Sequence, residues 1–382
     1  TYSGFLIQLS LLLCIYVGAS PRQAAKAVEV VAFMFNGLLG GAPCHTTIRT
    51  WLAKMGIDTM KHKNIDITQA YALILDASIS VNDQQLLLAL KVPADHTGKA
   101  FTHADEEVVG MAISNNYITD NGKNLKKAME LLELPHHKDI SHTFAMYLKW
   151  VYEKDDDFVN FKNLVGNTKH LALTKFAYLM PPKQRSMARF MNMYPIIDWA
   201  KKMLLNYHRM TKDEQYYFSF VYRNAGLVEE LDEVLSTYAD IMAICKQEGF
   251  SLKTIDKCKD VMRKRLLDGN ERMRRLKDCM NEYFDTEGQL LTAKHPVHNI
   301  SSDIIESDFG LFKDRMPMNR TNGFTESILF VPLKSRFHNI DNIKRFDINT
   351  AMERTTMLDV KRWKMCSLKP NPMVKRRNIL SA

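Results

Sequence analysis

The chain has 382 residues, of which 46% are hydrophobic and 25% are charged, as in a soluble globular protein of two or three domains. Its six cysteines form no C-x-x-C pair, which argues against a zinc-binding framework and favours reduced, cytoplasmic thiols. The formal net charge is +9, and residues 334–382 carry twelve Lys and Arg against four Asp and Glu. We therefore expect the C-terminal end to be a basic tail that is solvated or binds an anionic polymer.

The first 62 residues predict a helical domain. Residues 5–18 are strongly apolar but too short to span a membrane, so we expect a buried helix there. No Lys or Arg precedes this helix, as a signal peptide would require, and no membrane is expected as a partner. Because the chain begins with Thr1 rather than Met, we expect an N-terminal piece to be missing. The expected location is the cytoplasm, in association with the nucleoid if the source is prokaryotic.

A helix-turn-helix pattern follows in the same domain. Ser20 and Pro21 are typical of a helix start, glycines between residues 37 and 41 predict a turn, and residues 47–55 predict a second helix that ends at Gly56. In such a domain Arg49 and Lys54 would contact DNA. The alternative is an ordinary helical hairpin without any role in DNA binding.

Strands and helices alternate from residue 70 onward, which predicts an α/β core. Residues 72–75 form a buried strand that ends at Asp76, and a turn at residues 82–83 leads to a second strand at 85–92. The remaining predicted elements are a capped helix start at 102–106, a strand at 116–119 that leads into Asp120, a helix at 125–132 and a short strand at 137–140.

Residues 143–295 carry helical spacing almost throughout and predict a large all-α block. The helix after it has an apolar stripe of Ile305, Phe309, Phe312 and Met316. Glu306, Gly310 and Lys313 lie on another face of the same helix. A carboxylate, a residue without a side chain and a cation thus share one face, which suits a metal ion beside a phosphate.

Three carboxylates carried by separate elements fit two-metal phosphoryl transfer. Asp76 and Asp120 follow predicted strands and Glu306 lies on the late helix, so that they could hold two Mg²⁺ or Mn²⁺ ions. Each also has a structural interpretation: a turn or cap residue for the two aspartates, and a solvated helix position for Glu306. The order strand, strand, helix favours catalysis.

The sequences around these three carboxylates resemble the corresponding segments of the DDE transposases of the ribonuclease H-like superfamily. The matching segments are Leu75-Asp76-Ala77-Ser78, Thr119-Asp120-Asn121-Gly122-Lys123-Asn124-Leu125 and Ser302-Asp303-Ile304-Ile305-Glu306-Ser307-Asp308-Phe309-Gly310. The resemblance implies an α/β ribonuclease H-like core interrupted by an all-α insertion, and Asp76, Asp120 and Glu306 as the catalytic, metal-binding triad. It also implies a third antiparallel strand before the first core helix, for which residues 91–103 are available.

The same resemblance implies the partners and further site residues. Lys313 takes the place of a DNA-contacting residue two turns after the glutamate, and His142 belongs to a segment that recurs near the site. Asp139 is the alternative second carboxylate if the strand before Asp120 is misplaced. The substrates would be double-stranded DNA at element ends and at the target, bound by a homo-oligomer.

Basic clusters elsewhere fit DNA binding through phosphates, although each could be a solvated helix face. They contribute the candidate DNA contacts Arg263, Arg265, Arg274, Lys361 and Arg362. The competing functions are a two-metal structure-specific nuclease, or a non-catalytic DNA-binding protein derived from a decayed or repurposed transposase. The predicted segments are a helix-turn-helix-like domain at 1–62, the core at 63–142, the insertion at 143–299, the glutamate-bearing helix at 300–332 and the basic tail at 333–382.

Overall fold

The computed structural model of the protein divides into two compact units. It describes residues 2–35, 40–62, 70–81, 84–95, 98–114, 136–172, 175–183, 190, 192–313, 323–337, 346–368 and 372–381. The first unit comprises Thr1–Ala94, Phe101–Leu131 and Ser302–Ala382. The second comprises Asp95–Ala100 and Leu132–Ser301, so the chain enters the second unit twice and returns to the first each time.

Three helices begin the first unit: α1 (Gly4–Ile15), α2 (Pro21–Met34) and α3 (His45–Lys61). The predicted helix start at Ser20 is confirmed, because its hydroxyl and the Gln23 side chain form a capping box. The buried helix expected at residues 5–18 is confirmed as α1, whose Leu6 and Leu11 are almost fully buried. None of the helices that the structure describes combines the length and apolarity needed to cross a membrane.

Helix α3 contacts α1 and α2, the sheet and helices from the C-terminal segment, so that much of the first unit packs around it. The prediction that Gly56 ends this helix is wrong, since α3 continues to Lys61. A Cβ atom at Gly56 would lie 2.6 Å from both the Cβ and the carbonyl oxygen of Leu329. Gly56 is therefore a site of close packing inside the helix rather than a helix end.

Four further helices follow in the C-terminal segment: α12 (Phe330–Arg336), α13 (Ile348–Arg354), α14 (Met357–Ser367) and α15 (Pro372–Ser381). The first three contact α3, and their Leu333, Ala351 and Val360 are buried. Arg354 donates two hydrogen bonds to the fully buried Asp58 of α3, at 2.5 and 2.7 Å. The segment expected to be a basic tail thus packs into the first unit as far as α14, and the described side chains of α15 are exposed.

A three-stranded antiparallel sheet completes the described part of the first unit, in the order β1 (Tyr71–Val81), β2 (Gln84–Pro93) and β3 (Glu107–Ser114). The second strand lies where the sequence predicted it. The first does not end at Asp76 but continues to Val81, because its later residues pair with the start of β2. Gly110 of β3 fits close to Ala89, where a Cβ would approach to 3.2 Å.

Three expectations about the connections are wrong. The third strand is β3, at residues 107–114, rather than a strand within 91–103. Residues 102–106 form turns instead of a helix start, with Asp105 accepting hydrogen bonds from Thr102. Residues 137–139 are extended coil, and a helix begins at Ile140. The strand expected at 116–119, Asp120 and the helix expected at 125–132 lie outside the described residues.

The regular secondary structure in the described part of the second unit is helical, apart from two isolated antiparallel β-bridges. They join His298 to Phe250 and to Asp95. Its helices are α4 (Ile140–Tyr152), α5 (Asp156–Ala172), α6 (Tyr194–Asn206), α7 (Lys212–Arg223), α8 (Ala225–Glu248), α9 (Leu252–Arg265) and α10 (Glu271–Gly288). These helices enclose an apolar core that belongs to the second unit. Large aromatic side chains such as Phe218, Phe250 and Phe284 are fully buried in it.

Candidate metal centre

Helix α11 (Asp303–Lys313) packs on one face of the sheet. Its Ile305, Phe309 and Phe312 are buried, as the apolar stripe predicts. They join the cluster that contains Leu86, Leu88 and Leu90 of β2. Alternate residues of a strand point to the same face, so these three leucines identify the face that α11 covers.

Asp76 lies on that same face of the sheet. It is paired with Leu88 across the β1–β2 ladder, and directly opposed residues project to the same side. Its side chain is buried, and its Oδ1 accepts a hydrogen bond of 2.6 Å from the Ala77 backbone N–H. The carboxylate therefore lies in the middle of β1, beneath the layer to which α11 belongs.

Glu306 lies on a different side of α11 from the buried stripe. It is exposed, as is Lys313 two turns later, and among the described residues no atom lies within 4 Å of where a Cβ would stand at the intervening Gly310. Helix α11 contacts β1, the strand that carries Asp76. Asp76 thus lies on the sheet face that α11 covers, and Glu306 lies on α11 itself. Asp120, the second aspartate of the predicted triad, lies outside the described residues.

A cluster that the sequence did not suggest lies on the other side of α11. His103 Nδ1 is 2.6 Å from Glu106 Oε1 and 3.4 Å from Asp308 Oδ1. One ligand atom from each of the three residues lies within 4.8 Å of the other two. Residues two apart on a helix point about 200° away from each other, so Asp308 and Glu306 project to nearly opposite sides. The cluster could hold a metal ion.

Burial gives this cluster unusual electrostatics. Asp308 is 2% exposed, and burial together with the neighbouring Glu106 carboxylate raises its pKa to about 8. The hydrogen bond to Glu106 raises the pKa of His103. Two buried carboxylates therefore lie beside one imidazole, where a bound cation would offset their charge.

One signal in the sequence points to Asp308, although not to its two partners. Asp308 falls at i+3 from Ile305, within the apolar stripe of α11, where an unpaired charge is costly. Its two partners, His103 and Glu106, lie about 200 residues earlier in the chain. His103, for example, is 204 residues before Ser307, whose hydroxyl it contacts. Sequence spacing alone cannot connect the two segments.

Several predicted DNA contacts are engaged within the chain. Arg49 pairs with Glu326 at 2.8 Å, and Lys54 donates to the Met352 carbonyl at 2.6 Å. In the second unit, Arg265 pairs with Glu233 at 2.5 Å and also with Asp240, and Arg263 pairs with Asp260 at 2.8 Å. Since α3 also buries most of its surface, it is poorly suited to enter a DNA groove.

The other predicted DNA contacts are exposed to solvent: Arg274 on α10, and Lys361 and Arg362 on α14. Within the described residues, none of them takes part in an ion pair. Asp139 and His142 belong to the second unit, where Asp139 caps α4 and its Oδ1 accepts a 2.8 Å hydrogen bond from the His142 backbone N–H.

The chain matches no protein-family model, and no curated protein is significantly similar to it in sequence. The case for a function therefore rests on the residues and their geometry.

Proposed function

We propose that the protein is a DDE-type DNA transposase with a ribonuclease H-like core and an all-α insertion before its catalytic glutamate. The observation that carries this proposal is that the helix bearing Glu306 packs on the sheet face that bears Asp76. Asp76 lies on the sheet face that α11 covers, and Glu306 lies on α11, although the whole second unit separates the two residues in the chain.

The sheet leaves room for the rest of such a core. Among the described strands, β1 pairs with β2 alone, so its second edge is available to the strand predicted at residues 116–119. Pairing there would bring Asp120 to the sheet that carries Asp76.

The donor set suits hard divalent cations. Carboxylate oxygens from Asp76, Glu306 and Asp120 would hold Mg²⁺ or Mn²⁺, which prefer such ligands. When bound, two such ions stabilise the attacking and leaving oxygens of a phosphoryl transfer.

The chain's own residues position the DNA in this proposal. Lys313 projects from the same side of α11 as Glu306 and would bind a phosphate next to the scissile bond. Gly310 has no side chain, and no described residue comes within 4 Å of where a Cβ would stand there, so a DNA backbone could lie close to the helix between the two side chains. Water would attack the phosphodiester at the element end first, and the freed 3′-hydroxyl would then attack the target strand.

Nicking and strand transfer on duplex DNA that carries the inverted repeats beside the reading frame would test this proposal. With Mg²⁺ or Mn²⁺, we expect Asp76→Asn and Glu306→Gln each to lower the rate by about 1,000-fold or more, because each removes a metal ligand. Glu353→Gln, which neutralises an exposed glutamate on α13, is the matched control and should retain wild-type activity.

DNA binding by the variants separates the competing functions. Unchanged activity in both Asp76→Asn and Glu306→Gln would contradict the transposase and the nuclease alike. A wild-type chain that binds DNA without cutting it would favour a decayed or repurposed copy. Cutting without strand transfer would favour a structure-specific nuclease.

A second prediction concerns the basic surface of α14. We expect Lys361→Gln combined with Arg362→Gln to weaken DNA binding, because both cations face solvent. The slope of the logarithm of the binding constant against the logarithm of the salt concentration should become shallower by the equivalent of about two phosphate contacts. The control removes the same charge at Lys149 and Lys202, each of which pairs with an acidic residue four positions away. Equal losses in the two double variants would point to a general charge effect instead of a binding surface.

A further inference from the structure

We propose that His103, Glu106 and Asp308 form a separate metal site that takes a first-row divalent transition metal, with Zn²⁺ as its expected occupant. This site goes beyond the proposed transposase chemistry. It lies on the side of α11 opposite Glu306, and none of its three residues belongs to the predicted catalytic triad.

The geometry provides three ligands of two kinds. One imidazole nitrogen and two carboxylate oxygens lie within 4.8 Å of one another, a spacing that small side-chain shifts could close around one ion. Zn²⁺ binds His nitrogen and carboxylate oxygen at about 2.0–2.2 Å, whereas Mg²⁺ prefers oxygen ligands and retains its waters. The mixed donor set therefore favours zinc over magnesium.

Asp308 gives an independent reason for a ligand at this place. Its side chain is 2% exposed, and neither carboxylate oxygen has a hydrogen-bond partner among the described residues. His103 Nδ1 lies 3.4 Å away but directs its hydrogen bond to Glu106. A buried acid without a donor is costly, and a cation bound at this position would remove that cost.

The other nitrogen of His103 is already held in the manner of a metal ligand. Its Nε2 lies 3.2 Å from Ser307 Oγ, which fixes the ring so that Nδ1 faces the two carboxylates. Metal-binding histidines commonly have such a partner for their second nitrogen. Ser307 lies between Glu306 and Asp308, so this contact also joins the ring to α11.

A cavity next to Asp308 could provide a fourth ligand. It has a volume of about 10 Å³, close to the space that one water needs, and Phe312, Val331 and Lys334 help to line it. The ammonium group of Lys334 donates a hydrogen bond of 3.1 Å to the Ile15 carbonyl. A largely enclosed site with three protein ligands would fasten the turn before β3 to α11 and thereby fix the helix that carries Glu306.

Metal content and zinc titration of the full chain, without DNA, would test this proposal. After dialysis against a chelator and readdition of ZnCl₂, we expect one zinc per wild-type chain and a higher Tm with zinc than without it. His103→Gln and Asp308→Asn should each weaken zinc binding by more than about 100-fold and abolish the Tm shift, whereas Ser307→Ala should weaken it by about 10-fold. MgCl₂ should not replace zinc at equal concentration.

Two controls make the outcome specific. His45→Gln, at the start of α3, should bind zinc as the wild type does. Asp76→Asn and Glu306→Gln should also retain the zinc, so failure of the catalytic proposal can be told apart from failure of this one. The proposal is overturned if the wild-type chain binds no zinc, or if either His103→Gln or Asp308→Asn binds it as tightly as the wild type. Circular dichroism would verify that the variants are folded.

Discussion

Gly56→Ala is expected to destabilise the first unit by about 3 kcal/mol, although the same change in an exposed helix normally stabilises by up to about 1 kcal/mol. The reason is the contact between α3 and the 3-10 turn at Glu326–Leu329. A new Cβ would lie 2.6 Å from the Leu329 carbonyl oxygen, and a backbone atom cannot rotate away as a side chain can. The two segments would have to separate, and the apolar cluster around Ile57 and Val360 would open with them.

Urea-induced unfolding, compared with the wild type, measures this effect. Gly166→Ala is the matched control, because Gly166 is exposed within α5 and a Cβ there would meet nothing within 4 Å. We expect that substitution to be neutral or to stabilise by up to about 1 kcal/mol. A Gly56→Ala variant at least as stable as the wild type would show that α3 and the 3-10 turn are not packed this closely.

Replacement of Arg272 by Met is expected to destabilise the second unit by about 3–5 kcal/mol, as is typical when one partner of a buried ion pair is removed. Arg272 donates two hydrogen bonds of 2.8 Å to Glu230, which is 7% exposed, and two of 3.0 Å to Asp155. The hydrogen bond to Glu230 raises the pKa of Arg272. Without the guanidinium, the Glu230 carboxylate would remain buried, and its donors among the described residues would be the neutral Tyr152 and Asn270.

A double-mutant cycle separates this pair from a general loss of packing. Arg272→Met combined with Glu230→Gln should be less destabilised than the sum of the two single variants, because the second change removes the charge that the first leaves unpaired. Arg275→Met changes an exposed arginine on the same helix and should alter the free energy of unfolding by less than about 0.5 kcal/mol. Strictly additive effects in the cycle would contradict a coupled pair.

Local signals predicted the elements whose causes are local. The helix-start residues Ser20 and Pro21 correctly predict the start of α2. The composition of residues 85–92 predicts β2, and the apolar stripe at Ile305 predicts α11. The errors arise where a distant segment decides the structure. The glycine at position 56 is needed because Leu329 leaves no room for a side chain, not because the helix ends there, and β1 continues past Asp76 because β2 pairs with it.

The candidate sites divide in the same way. The sequences of their segments point to Asp76 and Glu306. The structure adds that Asp76 lies on the sheet face covered by α11, the helix that carries Glu306. The cluster of His103, Glu106 and Asp308 could not be assembled from sequence, because its turn and its helix are distant in the chain. Basic residues were the least predictable, since nearby acidic partners engage Arg49, Arg263 and Arg265.

The interrupted course of the first unit has a consequence for synthesis on the ribosome. Helix α3 buries its central face against α12, α13 and α14, which emerge only after the entire second unit has been made. At about 5–20 residues per second, the apolar faces of α1 to α3 would wait for tens of seconds before their partners leave the exit tunnel. The second unit, whose described part is helical and has its own apolar core, can fold during that interval. The nascent N-terminal helices are therefore where a chaperone would be expected to bind.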